Sequence, residues 1–193
     1  AASIASGDVM INLLDTPGNP DFVGEVRAGL RAADAVLFVV SASDEIDDAT
    51  RLLWRECETT NMPRAIAVTK LEQSRADFEE SMARCRRVFG DVQPLGAPLI
   101  EDAHVVGAIN LLRRTVTDYR SGEPMSREPD ETEAAIIGDH WDPLIESIIE
   151  ESEDETLLDR HLSGEPIDLD IVLPDLRAAI ACGALPPPTS GFA

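Results

Sequence analysis

The chain has 193 residues, 44% of them apolar and 27% charged, the balance of a soluble globular protein rather than a disordered one. No apolar run reaches the ~20 residues that cross a bilayer, and no basic start leads into a signal-like apolar core, which excludes a membrane-spanning role. The 37 acidic residues outnumber the 16 basic ones, and the resulting charge of −21 repels phosphate backbones and argues against direct DNA binding.

The chain opens on Ala1 rather than Met, which leads us to expect its true start upstream. Ser3-Ile4-Ala5 and Val9 to Leu14 read as two strands, with Gly7-Asp8 as the hairpin turn and the second strand buried. Asp21 to Ala33 spaces Phe22, Val26 and Leu30 four apart, a helical stripe. Ala35 to Val40 (AVLFVV) is a nearly unbroken apolar run, the pattern of a strand covered on both faces. Asp48 to Thr59 reads as a helix with Leu52, Leu53, Trp54 and Cys57 inward. Ala65 to Val68 is a third strand in this alternating series, and Phe78 to Phe89 its helix.

Past Arg113 the character changes. Tyr119 to Glu133 is polar and proline-bearing, a linker by composition. Helices are expected at Pro143 to Glu151, Glu155 to Leu162 and Asp170 to Cys182, the last starting or kinking at Pro174. The Glu150–Glu155 acidic block reads as a solvated face, and Pro186-Pro187-Pro188 disfavours a final strand. Cys57, Cys85 and Cys182 form no CxxC pair, which fits buried thiols in a reducing, cytoplasmic setting. His104, His140 and His161 show no metal-ligand spacing, and no G-x-S-x-G surrounds a serine.

Strand–helix alternation predicts an α/β layer fold with a parallel sheet, and such sheets bind ligands at the carboxyl ends of their strands. Those ends here are Asp15-Thr16-Pro17-Gly18, Ser41-Ala42-Ser43 and Thr69-Lys70-Leu71-Glu72. In a strand-to-helix turn a carboxylate such as Asp15 can hold Mg²⁺ through water, and the Gly18 amide can approach a phosphate closely. Lys70 is the only lysine among fifteen arginines, which points to a need for an ammonium at that place. Glu72 offers a carboxylate able to accept two protons from guanine, which adenine cannot match.

The strings DTPG, PDFVGEVRAGLRAADAVLFVVSA and MPRAIAVTKLE together resemble the GTP-binding domain of elongation factor G-type translational GTPases. LIESIIEESEDETLLDRHLSGEPID resembles the helical insert of that domain, closest to an elongation factor G-like branch. The resemblance covers nearly the whole chain. It implies a P-loop-NTPase-like, three-layer α/β G domain with GTP or GDP and Mg²⁺ as ligands and the ribosome as partner of the intact protein. It assigns Asp15, Thr16, Pro17 and Gly18 to the Mg²⁺/γ-phosphate turn. Asn19 stands where the family has its water-positioning histidine. Thr69, Lys70, Leu71 and Glu72 match the guanine-recognition N-K-x-D, and Ser190-Gly191-Phe192 the loop that closes over the base.

The same resemblance implies what differs. No G-x-x-x-x-G-K-[ST] occurs in the 193 residues, so the domain is expected to be incomplete, lacking its first strand and phosphate loop. Asn19 cannot act as a general base, Glu72 is one methylene longer than Asp, and Thr69 replaces Asn. The expected division is a partial G domain over 1–118, a helical insert over 119–182 and a return to the G domain over 183–193. The expected function is GTP hydrolysis by the intact, ribosome-associated protein. The alternatives are a non-hydrolysing nucleotide-sensing or docking module, or an inactive truncated product.

Overall fold

In the computed structural model, residues 1–73, 76–102, 104–152, 154–165, 167–185 and 188–190 are described, without the side chains of 20, 155 and 188–190. The chain divides into two compact units, Ala1–Val36 and Leu37–Ala193.

In the first unit, β1 (Ala2–Ser6) and β2 (Val9–Leu13) form an antiparallel hairpin in which Ile4 faces Ile11. Gly7 takes φ +59° in the connecting turn, a conformation that favours glycine. Every residue of both strands is exposed, so the expected buried strand is instead half of a two-stranded ribbon, which has too few layers to bury a face. The helix expected from Asp21 begins as a 3₁₀ turn, Pro20–Phe22, and continues as α1 (Val23–Leu30). Gly29 of α1 lies so close to Thr16 that a Cβ there would sit 3.1 Å from its methyl group.

In the second unit, β3 (Val36–Ser41), β4 (Arg64–Thr69) and β9 (Pro188–Ser190) form one sheet in the order β3-β4-β9. β9 runs parallel to β4 and pairs Ile66 with Pro188, Ala67 with Thr189 and Val68 with Ser190. A final strand therefore forms despite the prolines. It is tolerated because Pro188 opens the strand and β9 lies at the sheet edge, where a missing N–H breaks little. Pro186, Pro187, Gly191 and Phe192 fall outside the described residues.

Helices α2 (Asp48–Thr59) and α3 (Phe78–Phe89) match their expected bounds. Asp47 and Asp77 accept from Thr50 N and Glu80 N and so satisfy first-turn donors. Phe38, Trp54 and Phe89 meet in an aromatic cluster, with centroids 5.0 Å apart for Phe38–Trp54 and 4.3 Å for Trp54–Phe89. Both helices thus cover the same face of β3. Leu37 and Val39 on the other face are exposed, so β3 is buried on one side rather than two. In α2 it is Trp54 and Cys57 that face inward, while Leu52 is exposed.

Composition did not reveal the next element. Strands β5 (Gly96–Glu101), β6 (His104–Asn110), β7 (Thr115–Asp118) and β8 (Met125–Arg127) build an antiparallel sheet in chain order. The segment read as a linker contains β8, and β7 pairs with it as Val116–Arg127 and Asp118–Met125, across the boundary expected at residue 118. Gly107 is required here, because a Cβ would strike the Thr117 carbonyl.

Helix α4 runs from Glu131 to Glu151, twelve residues longer than expected, straight through Pro143. Its start is set by a capping box, with Asp130 accepting from Glu133 N and Glu133 from Asp130 N. Helix α6 (Leu169–Ala181) likewise contains Pro174 rather than starting there. The carbonyls these prolines leave unpaired belong to Asp139 and Asp170, both exposed, and water can satisfy them. With α5 (Glu155–Leu162) these helices bury Trp141, Leu144, Ile148, Leu157, Val172 and Leu176. Of the cysteines, Cys57 and Cys85 are buried, but Cys182 is exposed.

An ion-pair chain ties the antiparallel sheet to α4. Arg127 forks onto Glu133 at 2.5 and 2.6 Å and reaches Asp118 at 3.6 Å, and Arg120 bridges Asp118 and Glu101. The Arg127 guanidinium, above all, holds the buried Glu133 carboxyl below its ordinary 4.5. A carboxyl lowered on folding stabilises the protein above its unfolded value, and that contribution disappears as pH falls through the folded value. Glu133→Gln is therefore expected to cost about 2 kcal/mol at neutral pH, discounted for the part-exposed arginine. Melting curves of both proteins should show the gap close below pH 4.5. A gap independent of pH would refute the assignment.

Candidate functional site

The Asp15 turn belongs to the first unit and the Lys70 turn to the second. Asp15, Thr16, Pro17, Gly18 and Asn19 are all exposed between β2 and the 3₁₀ turn. Asn19 is already engaged. Its side-chain oxygen accepts from Asp21 N at 3.0 Å and its carbonyl from Phe22 N at 3.0 Å, so it opens the helical turn. Among the described residues no group of three or more His, Cys, Asp and Glu side chains is placed to hold a metal. A lone exposed carboxylate such as Asp15 would suit a Mg²⁺ ion that keeps most of its waters, and fits no all-protein cage.

The second turn is built from the tips of β3 and β4. Thr69 sends its hydroxyl to Val40 O at 3.2 Å, and Ala42 N returns a bond to Thr69 O at 2.8 Å, locking the two strand ends together. Lys70 then takes φ +59°, uncommon for a residue with a Cβ and a form of local strain found most often at functional sites. This left-handed step turns Leu71 into the core and leaves Glu72 exposed. Lys70 Nζ lies 3.5 Å from Asp44 Oδ2. Ser43 donates to Gln73 Oε1 at 2.7 Å and shares a 3.0 Å hydrogen bond with Ser41.

The 42–44 loop is braced from α3. Arg84 is buried and donates to the carbonyls of Ala42 and, at 3.1 Å, Asp44, while Ser81 donates to Ala42 O at 3.1 Å. The Asp44 carboxyl is held below its ordinary range, chiefly by the Ser41 hydroxyl and then by Lys70 and Arg84. The result is a braced loop that sets the Asp44 carboxylate beside the Lys70 ammonium, with Glu72 exposed two residues further on.

Of the residues expected at a base site, the fold brings Thr69, Lys70, Leu71 and Glu72 into one turn. The parallel register sets the backbone of Ser190 beside Val68, so β9 ends at the same edge of the sheet as that turn begins. Gly191 lies outside the described residues. Asp44, Gln73 and Arg84 escaped the sequence reading. The available signal was that Ser81 and Arg84 flank the apolar stripe Phe78, Met82, Cys85 and Phe89 within one helical turn. None of the three histidines approaches either turn among the contacts described: His140 lies 3.6 Å from Glu79, His161 lies 3.6 Å from Glu146, and His104 bonds the Asp102 carbonyl.

Comparison with known proteins adds to this geometry. The family profile "Elongation factor Tu GTP binding domain" matches residues 1–166. The chain is 44% identical over 187 residues to proteins named "Elongation factor G-like protein" in two strains of Mycobacterium tuberculosis, CDC 1551 / Oshkosh and H37Rv. The match takes in 96% of this chain and 26% of each relative, so the chain spans about a quarter of their length. A crystal structure of a protein from Thermus thermophilus superposes with a TM-score of 0.87 at 31% identity, over 99% of this chain and 28% of that one.

Proposed function

The chain belongs to the elongation factor Tu GTP-binding domain family, and from that premise we propose that it supplies the base-recognition and γ-phosphate turns of a guanine-nucleotide site in a ribosome-associated translational GTPase. The observation that carries the reading is the Lys70 turn. A strained left-handed lysine, cross-tied to a braced neighbouring loop, stands at the same sheet edge as the end of β9.

In this reading Glu72 accepts the guanine N1–H and amino protons, Lys70 lays its stem along the base, and Thr69 holds the turn closed. Ser190 and Gly191 belong to the segment that the family resemblance assigns to the base-closing loop, and β9 ends at Ser190 beside Val68. Asp15 holds Mg²⁺ through water, and Thr16, Pro17 and Gly18 line the γ-phosphate. When bound, the metal neutralises phosphate charge during transfer. Asn19 orients the attacking water only weakly, since its side-chain oxygen already serves Asp21 N. That same contact favours a second reading, a nucleotide sensor that binds without hydrolysing. Single-turnover GTP cleavage, with and without ribosomes, separates the two.

These 193 residues contain no G-x-x-x-x-G-K-[ST], so as a free polypeptide they are expected to show no saturable GDP binding at micromolar concentration, for want of phosphate contacts. Titration with a fluorescent GDP checks this. Within a protein that provides such a loop, GDP should bind and ADP should fail to compete. Glu72→Asp should then tighten GDP binding three- to tenfold, the ~1 kcal/mol of a hydrogen bond restored to its proper reach. Equal competition by ADP, or an unchanged affinity in Glu72→Asp, would overturn the base-site reading.

A further inference from the structure

We infer that Asp44 is a positioning residue for guanine recognition, pinning the Lys70 side chain across the mouth of the base turn before nucleotide arrives. This inference rests on the base-site reading above and adds a residue that the N-K-x-D-like turn does not contain. Asp44 lies 26 residues before Lys70 in the chain, and only the pairing of β3 with β4 brings them together. Its carboxylate stands 3.5 Å from Nζ.

Two contacts fix the loop that carries the carboxylate, and a third bears on the carboxylate itself. Arg84 holds the Asp44 carbonyl at 3.1 Å from inside the protein. The Ala42 N–H ties the same loop to Thr69 O, one residue before Lys70. The Ser41 hydroxyl, which also shares a hydrogen bond with Ser43, is the largest of the causes that hold the Asp44 carboxyl below its ordinary range. Across the loop, Ser43 grips Gln73 at 2.7 Å, so the Lys70–Glu72 turn is held at both ends. Lysine has a long, freely rotating stem, and ordering it on binding is costly. A carboxylate that orders it beforehand removes that cost from the binding step.

Charge alone predicts the reverse. Removing a carboxylate near an anionic ligand should strengthen binding. Asp44→Asn therefore separates pinning from bulk electrostatics by the sign of its effect. Pinning predicts that Asp44→Asn weakens GDP binding about fivefold in the intact protein. Asp44→Glu should recover part of the loss, and Asp44→Asn should add nothing in a Lys70→Ala background. Asp48→Asn removes a fully exposed charge from the start of α2 and should not weaken GDP binding.

Because Lys70 is the only lysine, a chain labelled with ¹³Cε-lysine gives one side-chain resonance, which reports its order without any nucleotide. That order should fall in Asp44→Asn and stay unchanged in Asp48→Asn, with the melting temperature unaltered in both. An unchanged resonance in Asp44→Asn overturns the pinning, and so does equal or tighter GDP binding. A protein that shows no preference for GDP over ADP overturns the functional reading and this inference with it.

Discussion

Replacing Trp54 with alanine is expected to lower stability by about 4 kcal/mol, a large share of the total a domain of this size has to lose. Trp54 is 2% exposed and touches both Phe38 and Phe89. The Arg64 guanidinium also lies over its ring, 4.6 Å from the centroid. Arg64 is itself buried, and its Nε has no hydrogen-bond partner. Truncation would open a cavity between β3, α2 and α3 and strip a buried cation of its aromatic partner. The melting temperature should fall by about 10 °C, whereas Trp54→Phe, which keeps a ring in place, should lose less than half of that. Calorimetry on the two variants checks the order. Equal losses would mean that a ring kept in place contributes nothing, and would refute the packing account of Trp54.

Arg84→Met should cost about 1–3 kcal/mol and loosen the 42–44 loop. The methionine keeps the buried stem but leaves the Ala42 carbonyl with a weaker donor set and the Asp44 carbonyl without its donor. Losing the charged donor to the buried Ala42 carbonyl, which keeps only Ser81, and the donor to the part-buried Asp44 carbonyl costs about 1–3 kcal/mol in all. Arg84→Lys retains one charged donor and should recover part of the loss without reaching both carbonyls, because an ammonium lacks the guanidinium fork. Hydrogen exchange at Ser43 and Asp44 should accelerate in Arg84→Met more than at Trp54. Uniform acceleration across the unit would show that Arg84 supports the core at large rather than this loop.

These two side chains stand at opposite ends of what the sequence discloses. Trp54 sits in an amphipathic stretch whose helix was legible to the residue, although the stripe read from spacing placed Leu52 inward and the structure leaves it exposed. Arg84 was legible only as a flank of the α3 apolar stripe, with nothing to mark its partners. Its partners are 40 and 42 residues away, and an arginine on a helix is ordinarily solvated. The antiparallel sheet over 96–127 was missed for a related reason. Its strands are short, its turns polar, and β8 is a three-residue segment that only cross-strand pairing holds in place.

What the amino-acid sequence determined by itself is local. It set the alternation of strands and helices and the composition of the turns at Asp15 and Thr69, each of which depends on neighbours a few residues apart. Tertiary structure alone decided that a proline-led β9 pairs with β4, that β3 hides one face only, and that Asp44 and Arg84 frame Lys70. Those outcomes depend on contacts between residues far apart in the chain. Periodicity carries no record of such contacts, because which groups meet is settled by packing and by the pairing of buried polar groups.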